Sequence, residues 1–231
     1  MELKFDEAGN LDQTENNSLI WQTINGLFIV RMTVMRLMTK QTEEEDMLKQ
    51  FNVTLPDVEE PGQDMFPSFL QKILEVVVET PLSNATYHLL TESTRLLLVL
   101  VTSQTALKEM MTSKMAETLT SSLFLRFTAQ ESAPPRIQGG GLVSGLWSIL
   151  TLGYGGAGPE EQEGGSPTPL ADTSLQLLLL LVNHGTTSNS YSDALANFSD
   201  SSEEEHPSKL TALYTTLLSL LHTGQCLVIL T

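Results

Sequence analysis

The strongest constraint on this chain is a helical repeat of apolar residues that occurs at two distant places. Apolar side chains that recur alternately three and four residues apart lie on one face of an α-helix. The first set comprises Phe66, Phe69, Leu70, Ile73, Leu74, Val77 and Val78. The second set comprises Leu210, Leu213, Tyr214, Leu217, Leu218 and Leu221. We predict a helix at each place, with this face buried against neighbouring helices.

Further leucine-rich stretches lie between these two sets, and no segment shows the alternation of a strand. Capping residues and prolines predict helices at about 18–38, 43–53, 65–80, 83–102, 105–128, 170–183 and 207–223. Short connections favour antiparallel helical hairpins. The expected fold is therefore all-α, an armadillo- or HEAT-like α-solenoid segment. No repeat is sharp enough to define a period, so a globular helical bundle is the structural alternative.

Composition divides the chain into four predicted regions. Residues 1–15 are polar and are predicted to be a disordered N-terminus. A helical region follows over 16–153, and 154–169 is a Gly/Pro-rich acidic linker. A second helical region, 170–231, contains a polar acidic loop at 184–206 and an atypical apolar C-terminus. That C-terminus either packs onto the core or marks an incomplete chain.

The charge balance excludes several classes of partner. The chain has 231 residues with 12 Lys and Arg against 28 Asp and Glu, a net charge of −16. Nucleic acid binding needs clustered basic residues, so no nucleic acid partner is expected. Acidic character also disfavours electrostatic attachment to an anionic membrane. No apolar run is long enough for a transmembrane span. The single cysteine, Cys226, fits a reducing compartment.

No residue set predicts catalysis, a cofactor or a metal. His222 and Cys226 are the closest pair of metal-ligand types, and no third ligand accompanies them. The glycines of 153–158 lack the Lys-Ser/Thr that a phosphate-binding loop requires. Ser144 has no G-x-S-x-G frame around it. We expect no catalytic, cofactor-binding or metal-binding residues. A hydrolase that uses Ser144 or a pair of acidic residues is the alternative function.

The most unusual segment is the glycine-rich stretch 139–153, which is strongly apolar and carries no charge. One interpretation is a closely packed buried helix. The functional interpretation is a segment that contacts a partner protein or a membrane surface, with Trp147 as an interfacial anchor. The candidate contact residues are Leu142, Leu146, Trp147 and Leu150. A peripheral membrane-surface module is thus a further alternative.

An acidic serine cluster lies farther along the chain. Ser199, Ser201 and Ser202 precede acidic residues, and they are candidate sites for acid-directed phosphorylation. The alternative is a polar loop that is solvated and unmodified.

Three blocks of the sequence resemble the dymeclin family. They are Ile20-Trp21-Gln22-Thr23-Ile24-Asn25-Gly26-Leu27-Phe28-Ile29, the glycine-rich block 139–153 and the block 166–180 that begins Ser-Pro-Thr-Pro-Leu. A looser similarity occurs at Leu213-Tyr214-Thr215. The blocks occur in family order, and the Trp-Gln-Thr and Gly-rich-Leu-Trp blocks are the more specific ones.

The resemblance implies a helical, armadillo-like, non-enzymatic cytoplasmic protein that associates peripherally with the Golgi apparatus. It also implies contacts with proteins at Golgi membranes and a role in Golgi organisation and vesicle trafficking. Longer members of the family begin with a Met-Gly lipidation signal. Here Glu2 follows Met1, so no N-myristoylation is expected on this chain. The chain is expected to be an N-terminal part of the family sequence, without its first segment and its C-terminal bulk. The oligomeric state is left open.

Overall fold

The computed structural model describes residues 3–40, 65–134, 166–185, 188–200 and 209–223. These ranges contain eight α-helices and no strand, so the predicted all-α fold is confirmed. The helices are α1 (Leu3–Lys40), α2 (Met65–Glu79), α3 (Tyr87–Leu100), α4 (Gln104–Thr112), α5 (Ala116–Ala129), α6 (Pro169–Val182), α7 (Ser190–Asp200) and α8 (Lys209–Thr223). The helix predicted at 43–53 and most of the predicted linker lie outside the described residues.

The boundaries of α2 and α3 follow from the residues that join them. α2 ends one residue before the predicted position, just ahead of Pro81. α3 begins later than predicted because Ser83 and Thr86 form a hydrogen-bonded turn. The Ser83 N–H donates to Thr86 Oγ1 at 3.0 Å, and that hydroxyl donates to the Pro81 carbonyl at 2.6 Å. Such local bonds offer the backbone an alternative to the helix.

The helix predicted over 105–128 is two helices in the structure, α4 and α5. Ser113 adopts an extended conformation, with φ −66° and ψ 137°, and this ends α4. Its hydroxyl accepts the backbone N–H of Met115 at 3.2 Å. The serine therefore provides a local bond that replaces continuation of the helix. On α5 the buried residues Leu119, Leu123 and Phe127 recur every four residues, whereas on α4 the buried residues are Ala106 and Met110.

Two helical segments extend into regions that were predicted to be non-helical. α7 lies within 184–206, where Tyr191 and Ala194 are buried among polar neighbours. α1 begins at Leu3, well before the predicted cap at residues 17–18. Residues 3–16 contain no proline, so their backbone is free to adopt a helix. The division of the chain into the four regions that its composition indicated stays a prediction.

The helices pack in two rows. In one row α1 contacts α3 and α3 contacts α6, while in the other α2 contacts α5 and α5 contacts α7. The rows meet where α2 packs on α3 and α5 packs on α6, and α8 rests on α5 and α7. The fully buried leucines at the centre are Leu90, Leu96, Leu97, Leu100, Leu119, Leu123, Leu177 and Leu181. The specific armadillo or HEAT assignment stays a prediction.

The two helices predicted from the opening pattern differ in outcome. On α2 the predicted face is buried, with Phe66, Leu70, Ile73, Leu74 and Val77 in the core. On α8 the predicted helix is present, but its predicted burial was wrong at Tyr214, Leu217 and Leu218, which are exposed by 64%, 38% and 46%. α8 packs through a face that includes the half-buried Leu213, which contacts the core, and the buried Thr216, whose hydroxyl lies 3.4 Å from the Thr128 carbonyl of α5.

Candidate interaction site

The predicted site residues lie largely beyond the described part of the molecule. Ser199 lies in the last turn of α7, where its backbone alone is described. The remaining candidates fall outside the described ranges: Leu142, Leu146, Trp147, Leu150, Ser201 and Ser202. Ser144 and Cys226 also fall outside them. Their assigned roles stay predictions.

The two ends of the segment that carries Leu142 to Leu150 are nevertheless described, and they lie together. The backbone N–H of Ala133 donates to the Pro167 carbonyl at 3.2 Å. The Thr168 hydroxyl donates to Gln130 Oε1 at 3.4 Å. We call residues 130–134 and 166–170 the stem. The described residues that precede position 135 and those that follow position 165 are therefore in contact with each other.

Tyr87 holds the two sides of the stem to the start of α3. Its hydroxyl donates to the Glu131 carbonyl at 3.2 Å and accepts the Leu170 backbone N–H at 3.3 Å. The second bond satisfies an N–H in the first turn of α6, which lacks a partner within its own helix. Burial raises the pKa of the Tyr87 hydroxyl, and the Leu170 hydrogen bond opposes that shift. The hydroxyl therefore remains protonated and can act as donor and acceptor together.

The chain reverses into the stem through Gln130, the C-cap of α5. Gln130 has φ 48°, the left-handed conformation in which helices commonly end. Its side-chain amide donates to the Phe127 carbonyl at 2.7 Å. This bond satisfies a carbonyl in the last turn of α5. The stem is thus built from local caps as well as from contacts between its two sides.

An aromatic row runs from α1 towards the stem. The rings of Trp21 and His88 lie 6.0 Å apart, and His88 meets Tyr87 edge-on at 5.7 Å. Trp21 is 46% exposed, so it presents aromatic surface at the other end of the row from the stem. Exposed tryptophan next to packed rings is a common feature of protein contact sites.

A shallow open groove of about 380 Å³ lies on α1. Its lining residues all come from that helix: Phe28, Ile29, Met32, Thr33, Arg36 and Leu37. Arg36 is the single ionisable group among these lining residues. Acid–base catalysis needs a positioned acid or base within reach of substrate, and this groove provides no carboxylate or histidine for that task. The groove is suited to apolar contact.

Ionisable groups inside the described core join helices to each other. Arg31 of α1 forms a bidentate pair with Glu92 of α3, with Nε–Oε2 and Nη2–Oε1 distances of 3.0 and 2.9 Å. Arg95 Nη1 lies 3.9 Å from the same carboxylate. The side chains of Arg31 and Glu92 are 15% and 10% exposed. This largely buried ion pair joins α1 to α3.

Arg126 of α5 is a buried cation that caps another helix. Its Nη2 donates to the Val77 carbonyl in the last turn of α2, where carbonyls lack partners within the helix. The negative end of the α2 dipole favours a cation there. Burial lowers the pKa of the Arg126 guanidinium to about 10. The residue thus has a structural role in the contact between α2 and α5.

Asn189 caps two helices at once. Its Nδ2 donates to the carbonyls of Leu181, Val182 and His184 at the end of α6, over 2.8, 3.0 and 3.1 Å. Its Oδ1 accepts the backbone N–H groups of Tyr191 and Ser192 at the start of α7, over 3.0 and 3.2 Å. This single amide fixes the turn between the two helices.

Tyr191 connects α7 to the end of α4. Its hydroxyl donates to the Met110 carbonyl at 2.9 Å, and burial raises the pKa of that hydroxyl. The sequence analysis singled out neither Tyr191 nor Asn189. The available signal was an Asn two residues before an isolated Tyr, followed by Ala194 and Leu195 at helical spacing.

Within the described ranges, no three His, Cys, Asp or Glu side chains are grouped so that they could hold a metal ion. A membrane-spanning helix is likewise not found in that part of the chain. The arrangement that the geometry does provide is a helical body with exposed apolar groups and a closed stem.

Comparison with known proteins gives a consistent family match. The family model described as "Dymeclin: Dyggve-Melchior-Clausen syndrome protein" matches residues 3–230. Dymeclin of Xenopus laevis is 32% identical over 207 residues, which cover 74% of this chain and 30% of that relative. Dymeclin of Mus musculus is 27% identical over 258 residues, which cover 93% of this chain and 37% of the relative.

A more distant relative, dymeclin of Drosophila melanogaster, is 24% identical over 297 residues, covering 98% of this chain and 42% of the relative. The chain therefore spans between about a third and two fifths of the length of the curated relatives it matches. No solved structure matches the chain.

Proposed function

Because this chain belongs to the dymeclin family, we propose that it supports Golgi organisation and vesicle trafficking through protein–protein contacts, without catalysis of its own. The observation that carries the proposal is the family match through residues 3–230. The resemblance stated above associates that family with the Golgi apparatus. We accordingly place the protein in the cytoplasm, in peripheral contact with Golgi membranes through resident proteins.

The described side chains support a binding role more than a chemical one. The buried ionisable and phenolic groups Arg31, Glu92, Arg126 and Tyr191 all bond between helices. They are therefore committed to the fold and are not presented to a substrate. Neither the description of the family nor the names of the relatives mention an enzymatic activity. These observations favour the scaffold over the hydrolase alternative.

We assign the partner contact to residues 139–153, with Leu142, Leu146, Trp147 and Leu150 as its apolar side chains. The stem supports this assignment, because its hydrogen bonds hold the described residues on either side of 135–165 together and to the start of α3. The exposed Trp21, at the other end of the aromatic row from the stem, would extend the same contact surface. A partner bound there would meet aromatic and aliphatic groups with few charges, as in the core of a protein interface.

The proposal is tested in cells depleted of their own dymeclin. The chain, tagged with a fluorescent protein, is expected to overlap a Golgi marker and to restore compact Golgi morphology. The double variant Leu146→Glu/Trp147→Glu should lose both effects, because charge in an apolar interface is costly. The matched control is Leu179→Glu/Leu180→Glu, which places the same charges on exposed leucines of α6 and should retain both effects.

Two outcomes of that experiment would contradict the proposal. If the wild-type chain neither reaches the Golgi nor changes its morphology, the function is wrong for this chain. If both double variants rescue equally well, the function can stand but the assignment to 139–153 is wrong. Circular dichroism of each purified variant checks that its helices are retained.

Direct membrane contact by residues 139–153 is the second candidate, favoured by the absence of charge around Trp147. Liposome flotation separates it from protein binding. The chain should float with neutral vesicles, and a chain without residues 139–159 should not, if the segment inserts in the interface. The net charge of −16 opposes binding to anionic vesicles.

A further inference from the structure

The turn that follows α2 contains a threonine directly before a proline, Thr80-Pro81. α2 ends at Glu79, and the residue before a proline favours an extended backbone. Thr80 is half-buried, while Pro81 and Ser83 are exposed. Proline-directed protein kinases modify a hydroxyl residue that precedes proline in an extended, accessible segment. The turn therefore has the sequence and the backbone of a substrate for such a kinase.

Pro81 also deprives the end of α2 of a hydrogen-bond donor. A helix carbonyl accepts the N–H of the residue four positions later, so the Val77 carbonyl points towards residue 81. Proline has no N–H to offer. The guanidinium of Arg126 takes that place, because its Nη2 donates to the Val77 carbonyl. The guanidinium therefore lies at the end of α2, where Thr80 and Pro81 leave the helix.

Arg126 has binding capacity that the described contacts do not use. Its side chain is buried, and its Nη1 has no hydrogen-bond partner among the described residues. Burial lowers the pKa of the guanidinium to about 10, so the group remains a cation at neutral pH. A guanidinium is a planar fork of donors that matches the oxygens of a phosphate. A phosphate placed beside Arg126 would supply the missing acceptor and a compensating charge.

Thr80 is in a position to carry that phosphate. Its backbone N–H donates to the Val76 carbonyl at 3.2 Å, so the last helical turn continues through Thr80. Residues three apart in a helical turn are neighbours on one face, with about 5–6 Å between their Cβ atoms. Thr80 follows Val77 by three positions, and Val77 is the residue that Arg126 contacts. A phosphate on Thr80 would extend beyond the end of α2, where the guanidinium lies.

We propose that Thr80 is a phosphorylation site for a proline-directed kinase and that Arg126 binds the phosphate. The kinase transfers the γ-phosphoryl group of ATP to Thr80 Oγ1. The bond from Oγ1 to phosphorus forms, the bond from phosphorus to the β-phosphate oxygen breaks, ADP leaves, and the hydroxyl proton passes to a base of the kinase. The product joins the turn after α2 to α5 by a charge-assisted hydrogen bond. This inference is independent of the proposed Golgi function.

The first test is phosphorylation of the whole purified chain by a purified proline-directed kinase with ATP. Mass spectrometry identifies the modified residues, and Thr80 should be among them. Pro81→Ala should abolish labelling at Thr80, because it removes the residue that the kinase recognises. The matched control is Pro167→Ala, which removes the proline of the Ser166-Pro167 pair and should leave labelling at Thr80 unchanged. Circular dichroism checks that both variants retain their helices.

The second test measures the contact with Arg126. Phosphothreonine is incorporated at position 80 during translation, and ³¹P NMR follows the second pKa of its phosphate. That pKa should lie at least about 1 lower in the native chain than in the same chain unfolded in urea, because a cation stabilises the dianion. Glu79 and the negative end of the α2 dipole act in the opposite direction, so a lowered value identifies the guanidinium.

Two matched samples accompany the titration. Arg126→Gln keeps an amide donor for the Val77 carbonyl but has no charge, so it should remove the lowering of the phosphate pKa. Phosphothreonine at position 102 should show no lowering in the native chain, because Thr102 is an exposed residue just after the end of α3.

Four results would overturn the proposal. Kinase labelling that is absent from Thr80 excludes it as the site. A phosphate pKa that is equal or higher in the native chain excludes binding by Arg126, and so does a lowering that persists in Arg126→Gln. A chain with phosphothreonine at position 80 that lacks the helical circular dichroism signal would show that the turn after α2 does not accommodate a phosphate.

Discussion

At the scale of single residues, two serine hydroxyls in the helix core are notable because they lack hydrogen-bond partners. Ser93 of α3 and Ser174 of α6 are fully buried, and neither Oγ atom has a partner among the described residues. A buried hydroxyl without a partner costs about 1–3 kcal/mol. Serine is a small side chain for the buried faces of α3 and α6, and its unpaired hydroxyl lowers the stability of the fold.

We expect Ser174→Ala to stabilise the protein by about 1 kcal/mol, because it removes the unpaired hydroxyl and alanine favours the helix. Urea unfolding followed by circular dichroism measures the change. Ser103→Ala is the matched control and should act in the opposite direction, since the Ser103 hydroxyl accepts the Ala106 N–H at 3.2 Å as an N-cap. Its loss should cost about 1 kcal/mol. Destabilisation by both variants would contradict the prediction.

Tyr191 provides a second test at this scale. Tyr191→Phe should cost about 1–2 kcal/mol at neutral pH, because the Met110 carbonyl loses a buried donor. Tyr214→Phe, at an exposed tyrosine of α8, is the matched control and should leave the stability unchanged.

The advantage of Tyr191 over phenylalanine should also depend on pH. The folded pKa is raised above its ordinary value of about 10, so the stabilisation is complete below pH 10 and is lost as the pH rises. The excess stability of the wild type over Tyr191→Phe should fall by up to about 1.4 kcal/mol per pH unit above pH 10. The lowered pKa of Arg126 has the opposite sign and is present in both proteins, so it cancels from the difference. A constant difference from pH 8 to 11 would rule this out.

At the scale of elements, Asn189 determines how α6 meets α7. Asn189→Asp keeps the acceptor that caps α7, since aspartate is as good an N-cap as asparagine. It removes three donated bonds and places a carboxylate at the negative end of the α6 dipole. We therefore expect a loss of at least about 2 kcal/mol in the free energy of unfolding.

Asn183→Asp provides the control for that substitution. Asn183 is exposed, and its Nδ2 donates one bond, to the Leu179 carbonyl at 2.9 Å. The same chemical change should cost less than about 1 kcal/mol there. Equal losses at the two sites would show that Asn189 has no special role as a double cap.

The Arg31–Glu92 pair should account for much of the attachment of α1 to α3. Arg31→Met leaves the Glu92 carboxylate buried with Arg95 at 3.9 Å as its nearest remaining cation, and should cost about 3 kcal/mol. Arg31→Met/Glu92→Met should recover most of that loss, because no unpaired charge remains. A double-mutant cycle in urea gives the coupling energy. The exposed Lys72–Glu75 pair of α2 should show no measurable coupling in the same experiment.

A helix could be predicted from the sequence when its own residues determine its bounds and its buried face, and less well when contacts with other helices determine them. α2 was predicted almost to the residue, because its apolar face is unbroken and Pro81 ends it. α7 was missed, because its three large apolar residues give too weak a period and Asn189 and Tyr191 fix it to its neighbours. The wrong prediction of a buried face on α8 has another cause. A periodic stripe indicates that a face will pack, and it carries no information about which other chain segment covers it.

The candidate site was predictable to a smaller extent than the fold. The pairing of Arg31 with Glu92 was not predicted, because it depends on a contact between helices that are far apart in the chain. The stem could not be foreseen either, because Tyr87 is distant in sequence from both segments that it joins. Long-range pairs of this kind leave no periodic signal.

At the scale of the whole molecule, the stem predicts that residues 135–165 can be replaced without loss of the fold. A short Gly-Ser linker should retain the helical circular dichroism signal and stabilise the protein by about 1 kcal/mol, since a shorter loop has a smaller closure entropy. Differential scanning calorimetry measures the change. The same replacement combined with Tyr87→Phe should lower the stability, because the Glu131 carbonyl loses its donor. Unfolding of the shortened chain alone would contradict the role given to the stem.

The double cap at Asn189 has a consequence for synthesis on the ribosome. The last turn of α6 gains its carbonyl partners from a residue that emerges later, together with the first residues of α7. The delay is longer for α4, because the Met110 carbonyl at its end gains its hydrogen bond only after Tyr191 has left the exit tunnel. The core of the nascent chain therefore stays incomplete until the last quarter of the sequence is being translated.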